Sequence, residues 1–446
     1  MRFAFEVVNP MPLAMIPIFV MMLFALPGAR ADAASWSSPT TITTNGGVQL
    51  DLAMGADGTA AVAYSDTRGV QVAVRRAGHG WSSPRLVSGG RFTTTRPSVS
   101  VTGSGEVVVA WAQSGSTITH PSPTVGPLTV RAAIRSSRGS WGSARQIGTS
   151  AHFIDAGVDS AANARGDAII VWRGVQAVGN GRRSDAVQSS YRAAGAGFGG
   201  AQTIREGSTP TTVTGQVVAL DDRGTAYAAW SRGSAPVVRL AARSRGGRGS
   251  WGAARTMGAT PSSEPVIAVT SDRTAIVAWH AAGLDSEGEG LQAGTLDTAS
   301  RLPNGALSAT QKISDVPTRT YHLVTGPNGS ALLTWVPQAE GSELRSTPRS
   351  TATGRFAPSV IAPGVRPGSF AGGPALLGDG SALLTWGESD HVQVVGGPIT
   401  GPLAGTPELD RPGIYPRIAA AGTRAVLVWN VATGDKVSIL ASGRHP

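Results

Sequence analysis

The sequence predicts an all-β protein, an eight-bladed β-propeller, and three observations carry this prediction. An apolar run that ends in an aromatic residue occurs eight times along the 446-residue chain. In six of the eight units a glycine stands six residues before that aromatic. The last unit lacks a fourth strand, while a spare strand stands near the N-terminus. Repeats of roughly 50 residues that each contain four short strands are typical of propeller blades.

The composition agrees with this fold class and excludes several kinds of chemistry. The chain has 59 glycines, 41% hydrophobic residues, 15% charged residues and no cysteine. The hydrophobic share is sufficient for a large core and excludes global disorder. The lack of cysteine excludes disulfides, thiolate metal sites and cysteine nucleophiles.

Residues 1–33 predict a secretory signal peptide. Arg2 gives a basic start, residues 11–26 are apolar, and small residues flank Arg30 and Asp32 as at cleavage sites. The apolar stretch is short for a membrane span of about 20 residues, although an uncleaved anchor is the alternative. We therefore expect a secreted bacterial protein, free of the membrane after cleavage, with one propeller domain over residues 34–446.

The first half of each unit is a hairpin. Its second strand is apolar without alternation, which indicates that both faces are buried between neighbouring sheets. The glycine before it favours the positive φ of a tight turn. The aromatics that end these strands are Tyr64, Trp111, Trp172, Trp230, Trp279, Trp335, Trp386 and Trp429.

Two further strands follow, separated by a turn and a second aromatic. That aromatic is clear in four units and weaker in a fifth, at Trp81, Trp141, Phe198, Trp251 and Phe356. The eighth unit ends after a third strand at residues 436–441, and residues 36–42 form the spare strand. Pairing these two strands would close the ring and remove an open sheet edge. Seven blades is the alternative, because the units at 291–313 and 391–410 are irregular.

The tandem pattern resembles secreted bacterial proteins with sialidase-like repeats. The segments 139–141 and 249–251, both Gly-Ser-Trp, resemble degenerate Asp-box hairpins, although no copy keeps the aspartate. The resemblance covers residues 34–446 and implies a propeller. It does not carry over an activity.

A sialidase-type site needs three arginines, a tyrosine–glutamate pair and a proton donor. Arg96, Arg411 and Arg417 are expected near the starts of inner strands, as are Tyr321 and Tyr415. No glutamate stands recognisably beside either tyrosine, so we interpret these residues as caps and channel lining and predict no catalytic residue. A divergent sialidase-type glycoside hydrolase remains the alternative.

The net charge of +10 is confined to residues 131–255, which hold 17 arginines and 7 acidic residues. An arginine recurs six residues before the second aromatic, as Arg75 outside this segment and as Arg135, Arg192 and Arg245 within it. This recurrence predicts a structural role, by stacking on an aromatic or covering a strand edge. The remaining excess makes residues 131–255 a candidate for weak polyanion contact.

Long links between second and third strands are the best sequence indication of a binding face. They predict a glycan or protein ligand at the channel face, contacted by His120, Arg182, Arg183, Asp285 and Glu287. The histidines are scattered, and the acidic run at 285–289 is interpreted as a solvated loop, so no metal or cofactor is predicted. We expect a monomeric, exported, non-catalytic binding or scaffold module for cell-envelope glycans or proteins. A purely structural surface protein is a further alternative.

Overall fold

In the computed structural model the chain forms eight antiparallel sheets of four strands or more, arranged as a closed ring. The description covers residues 35–445 except 48, 89–95, 115–127, 151–156, 178–182, 205–211, 234–236, 246–248, 259–261, 282–293, 340–342, 363–369, 389, 402, 404–406 and 435. Within these residues the helical content is one short 3-10 turn, Pro327–Gly329. The predicted all-β, eight-bladed propeller is confirmed.

The N-terminal strands and the first four blades follow in chain order. The N-terminal strands are β1 (Ser35–Trp36) and β2 (Thr40–Thr43). Blade 1 comprises β3 (Leu50–Met54), β4 (Ala60–Asp66), β5 (Gly69–Arg75) and β6 (Arg85–Leu86). Blade 2 comprises β7 (Ser98–Val101), β8 (Val107–Gln113), β9 (Leu128–Arg135) and β10 (Arg145–Ser150). Blade 3 comprises β11 (Val158–Ala162), β12 (Ala168–Ala177), β13 (Arg183–Arg192) and β14 (Gln202–Ile204). Blade 4 comprises β15 (Val213–Leu220), β16 (Ala226–Arg232), β17 (Val237–Arg243) and β18 (Arg255–Thr256).

The last four blades complete the ring. Blade 5 comprises β19 (Ser262–Val269), β20 (Ala275–Ala281), β21 (Thr295–Arg301) and β22 (Gln311–Ser314). Blade 6 comprises β23 (Thr318–Thr325), β24 (Ala331–Pro337), β25 (Arg345–Arg349) and β26 (Val360–Ile361). Blade 7 comprises β27 (Phe370–Leu376), β28 (Ser381–Glu388), β29 (His391–Pro398) and β30 (Leu409–Pro412). Blade 8 comprises β31 (Ile414–Ala421), β32 (Arg424–Thr433) and β33 (Lys436–His445).

The spare N-terminal strand closes the ring as predicted. Both β1 and β2 pair antiparallel with β33, with Ser35 opposite His445 and Thr40 opposite Ala441. The Trp36 indole N–H also donates to the Glu408 carboxylate at 3.1 Å. The irregular units form complete blades 5 and 7, so the seven-blade alternative is wrong.

The core lies between consecutive blades. The eight main-repeat aromatics are buried, and each of the eight hydrophobic clusters found in the described residues draws on two neighbouring blades. A Cβ atom at Gly148 of blade 2 would lie 2.3 Å from the Trp172 ring of blade 3, so only glycine admits that ring. All six predicted turn glycines have positive φ, and Arg273 takes the same conformation in blade 5.

An arginine is the last residue of the third strand in six of the eight blades and the next to last in blade 8. Each lies opposite the first residue of the second strand or its equivalent, at Arg75, Arg135, Arg192, Arg243, Arg301, Arg349 and Arg444. In blade 4 the sequence spacing predicts Arg245 at this position. The structure has Arg243 there instead, paired with Trp251 in an isolated β-bridge, because the turn between them is longer. The predicted structural role is borne out by Arg192, whose Nε donates to the Ala196 carbonyl at 2.7 Å. Stacking occurs on the preceding blade, where Arg243 lies 4.3 Å from the centre of the Tyr191 ring.

Candidate functional site

A cavity of about 840 Å³ opens at the end of the ring where the inner strands of blades 1 to 6 begin. Because the strands are antiparallel, the second strands end at this same face. We call this space the mouth cavity. Its polar lining includes Gln49, Asp51, Arg96, Asp159, Gln216, Glu264, Arg319, Tyr321 and His322.

Two aspartates in the mouth cavity join neighbouring blades. The Val99 backbone N–H of blade 2 donates to Asp51 Oδ2 of blade 1 at 2.8 Å. The Val218 N–H of blade 4 donates to Asp159 Oδ2 of blade 3 at 2.7 Å. An inner strand is the free edge of its sheet, so these carboxyl groups satisfy backbone donors that no strand pairs.

Burial raises the pKa of both carboxyl groups, and that of Asp159 rises to about 7. The hydrogen bond from Val218 opposes this change, the negative charge of Asp51 adds to it, and Arg96 opposes it. The Asp159 carboxyl group is therefore partly protonated near neutral pH.

Three arginines supply positive charge at this end of the ring. Arg96 of blade 2 and Arg319 of blade 6 are exposed in the mouth cavity. Arg417 of blade 8 interacts electrostatically with Arg96 and Asp51. Burial, and then the charge of Arg96, lowers the pKa of the Arg417 guanidinium.

Tyr321, His280 and Glu264 meet at the junction of blades 5 and 6. The Tyr321 hydroxyl donates to the backbone carbonyl of Glu264, and the His280 and Tyr321 rings meet edge to face at 4.6 Å. His280 Nδ1 lies 3.6 Å from Glu264 Oε2. Burial raises the pKa of Tyr321 and lowers that of His280. The phenol and the imidazole are thus both held neutral, while the Glu264 carboxylate is 75% exposed.

Strained backbone also occurs at this face. Inner strands β15, β19 and β31 share a bulge whose first residue has positive φ. Blade 4 uses Gly215 there (φ 60), but blades 5 and 8 use Glu264 (φ 51) and Tyr415 (φ 53). A side chain in this region costs about 1–2 kcal/mol, and such strain is concentrated at functional sites.

The structure brings together some of the residues expected at the channel and separates others. Arg96, Arg417 and Tyr321 lie at the mouth face, and so does Tyr415, the second residue of β31, with 47% of its surface exposed. Arg411 lies away from the channel, on the outer rim, because it belongs to β30, the outermost strand of blade 7, opposite Val392. An arginine triad that includes Arg411 is therefore wrong.

The five predicted binding residues are not tested. His120, Arg182, Asp285 and Glu287 lie outside the described residues, and of Arg183 only the backbone, at the start of β13, is described. The flanking strands β8, β12 and β20 end at the mouth face. These residues remain predictions.

Sequence reasoning missed Asp51, Asp159, Glu264, His280 and Arg319. A usable signal was present for the two aspartates, because each stands thirteen residues before the main aromatic of its unit. No sequence signal marks Glu264 and His280, because the bulge in β19 and the junction of blades 5 and 6 bring them together.

The described residues contain no cluster of three or more metal-ligating side chains. No helix in the described part of the chain is long and apolar enough to cross a membrane.

No protein-family profile matches the sequence, and no curated protein matches it. Solved structures resemble it at low identity. An ulvan lyase, a polysaccharide lyase, is 11% identical over 90% of this chain and 94% of its own, with a TM-score of 0.46. The six-bladed propeller lectin of Aleuria aurantia is 11% identical over 72% and 98% of the two chains, with a TM-score of 0.36. A protein of unknown function from Dyadobacter fermentans is 14% identical over 79% and 95%, with a TM-score of 0.41. The chain thus has structural neighbours among lectins and polysaccharide lyases, and likeness at this level carries no argument about its activity.

Proposed function

We propose that the protein is an exported, non-catalytic binding propeller that takes a neutral or weakly charged glycan in the mouth cavity. The cavity itself carries the proposal. Its volume of about 840 Å³ is within the range of ligand pockets, which is roughly 300–1,000 Å³. Six blades contribute to it, so the ring holds the lining rigidly.

The exposed groups suit a polyhydroxylated ligand. Sugar hydroxyls both donate and accept hydrogen bonds, and the cavity offers donors on Arg96 and Arg319 and an acceptor on Glu264. The exposed ring of Tyr415 at the same face offers an apolar surface. Charges of both signs line the cavity, which favours a neutral or weakly charged ligand over a polyanion.

Three arginines of the segment 131–255, the candidate for polyanion contact, pair with carboxylates within the fold. Arg173 pairs with Asp185 at 2.6 Å, Arg192 with Glu106 at 3.2 Å, and Arg245 with Asp167 at 3.3 Å. These pairs account for three of the segment's 17 arginines, and Asp185 and Asp167 are already subtracted in its net charge, so the segment stays a candidate for weak polyanion contact.

A divergent glycoside hydrolase is the second candidate, favoured by the Asp159 pKa of about 7, which suits a proton donor. Against it, both Asp159 oxygens accept backbone N–H groups, from Val218 at 2.7 Å and Ser160 at 2.9 Å. The raised pKa of Tyr321 also opposes its use as a nucleophile. We therefore place binding before hydrolysis.

A glycan array probed with residues 34–446, alongside a fluorogenic sialoside assay, tests the proposal. We expect saturable glycan binding that is lost in the double variant Arg96→Ala/Arg319→Ala, with no turnover. The control Arg138→Ala/Arg223→Ala removes two exposed arginines from turns outside the mouth cavity and should bind normally. Sialoside turnover abolished by Asp159→Asn would instead establish the hydrolase, and silence in both assays would contradict both functions.

A further inference from the structure

Arginines near the end of a third strand reach a position on the preceding blade that is acidic in two places, through the repeated Arg192 in blade 3 and through Arg245, two residues beyond the repeated Arg243, in blade 4. Arg192 of blade 3 pairs with Glu106 of blade 2, with Nη2 and Oε2 3.2 Å apart. Glu106 is the residue between the turn glycine and the second strand. The same position in blade 3 is Asp167, which receives Arg245 Nε of blade 4 at 3.3 Å.

Blade 8 reverses the charge at this position. Its residue there is Arg424, the first residue of β32, and the arginine of the following blade is Arg75. The charge of Arg424 adds to burial in lowering the pKa of Arg75, so the two guanidinium groups interact unfavourably. Among the described residues, neither has a carboxylate partner.

A small cavity of about 80 Å³ lies between these side chains, on the face opposite the mouth cavity. Arg75, Arg424, Arg444 and His445 line it. Arg444 is neutralised by Glu408, at 2.9 Å from Nε to Oε2, whereas Arg75 Nε donates to the His79 carbonyl at 3.1 Å. We call this space the seam pocket, because β33 and the N-terminal strands close the ring beside it.

Glycines lie beside Arg75 and Arg424 in the seam pocket. A Cβ atom at Gly443 would lie 2.4 Å from Arg75 Nη1, so a side chain there would shift the guanidinium from its present position. A Cβ atom at Gly58, whose φ is 82°, would lie 3.6 Å from Arg424 Nη1. Glycines thus lie beside both guanidinium groups, next to a space with room for several heavy atoms.

We propose that the seam pocket binds a tetrahedral oxyanion, a sulfate or phosphate group, between Arg75 and Arg424. The planar guanidinium fork matches the oxygens of such groups in a bidentate manner. A doubly charged anion neutralises both arginines and takes the place that Glu106 and Asp167 fill in blades 2 and 3. This site goes beyond the proposed function and uses no residue of the mouth cavity.

Thermal unfolding of residues 34–446 tests the site, with sodium sulfate or phosphate titrated against sodium chloride at constant ionic strength. We expect a saturable rise in Tm with sulfate or phosphate. No rise beyond that in chloride would overturn the proposal. A second series of titrations uses a sulfated oligosaccharide and its desulfated form in place of the free ion. A rise in Tm with the sulfated form alone would show that the pocket also accepts a sulfate group on a larger ligand.

The variant Arg424→Glu tests the position of the site. It places in blade 8 the carboxylate that blades 2 and 3 have at this position, so we expect it to fold. We expect its Tm without sulfate to be above that of the wild type, and its response to sulfate to disappear. Arg138→Glu, an exposed charge reversal in another turn, should keep the full response. An undiminished response in Arg424→Glu would contradict the assignment, and the mouth variant Arg96→Ala/Arg319→Ala should respond like the wild type whether or not it binds glycan.

Discussion

Asp159 shows how a single buried carboxyl group couples the mouth cavity to pH. Its pKa is about 7 in the folded chain and near the ordinary 3.8 when unfolded. The folded state therefore holds the proton more tightly, and this contribution to stability is complete below pH 3.8 and lost as pH rises through about 7. We expect the free energy of unfolding of the wild type to fall between pH 4 and pH 8, and Asp159→Asn to reduce that fall by up to about 4 kcal/mol, the equivalent of a pKa difference of about three units.

Urea unfolding at intervals across this range measures the effect. Asp222→Asn, a substitution of an exposed turn carboxylate, is the control and should keep the slope of the wild type. A wild-type slope in Asp159→Asn would show that this carboxyl group does not hold a proton in the folded chain.

Glu264 combines backbone strain with an exposed carboxylate in the mouth cavity. Glycine tolerates φ 51° without strain, so we expect Glu264→Gly to raise the free energy of unfolding by about 1 kcal/mol while weakening glycan binding. The matched change Gly215→Ala, at the equivalent bulge of blade 4 with φ 60°, should lower it. Chemical unfolding measures both, and a destabilised Glu264→Gly would mean that the side chain is retained for stability.

Sequence analysis predicted the role of a residue correctly where that role depends only on contacts within one repeat. The turn glycines and the buried aromatics follow from spacing alone, since each acts within one hairpin. The contact between Tyr321 and Glu264 joins residues 57 positions apart in different blades, and no local pattern reports it. The predicted position of Arg411 was wrong. Inner strand β31 begins only three residues after Arg411, but Arg411 itself still belongs to the outer strand β30.

At the scale of the strand and the blade, the repeated arginine joins neighbouring sheets. Arg192 is 3% exposed and contacts Glu106 of blade 2 and the Gly166 carbonyl of its own turn. Removing one partner of a buried pair leaves the other charge uncompensated. We expect Arg192→Ala to lower the free energy of unfolding by about 3 kcal/mol, whereas Arg138→Ala, at an exposed turn, should change it by less than about 0.5 kcal/mol.

The double variant Arg192→Ala/Glu106→Ala separates the pair from simple loss of packing. Urea unfolding of the two single variants and the double variant gives their coupling energy. Coupling near zero would show that the arginine acts through its hydrogen bonds to the turn alone.

Most strands were predictable, and the exceptions have a physical reason. The units at 291–313 and 391–410 appeared irregular because they lack the second aromatic. In blade 5, Leu307 takes that place and bridges Arg301. Backbone pairing and burial of the second strand are enough to form the blade, so the aromatic is a common but not a necessary element.

At the scale of the whole molecule, closure joins the two ends of the chain. Each hydrophobic cluster needs both of its blades, and the cluster between blades 8 and 1 includes Ile42 of the N-terminal strand together with Ile439. We expect a chain that begins at residue 44 to unfold at a lower temperature and to aggregate, because the β33 edge is then unpaired. A chain that begins at residue 34 is the control, and equal Tm values for the two would contradict closure by the N-terminal strands.

The central claim is that the mouth cavity binds a glycan, and calorimetric titration of the best array ligand tests it most directly. We expect Arg96→Ala/Arg319→Ala to weaken binding at least about tenfold, because each charged hydrogen bond contributes about 1.5–3 kcal/mol, and Arg138→Ala/Arg223→Ala to bind like the wild type. Equal affinity in all three proteins would place the ligand elsewhere and contradict the account.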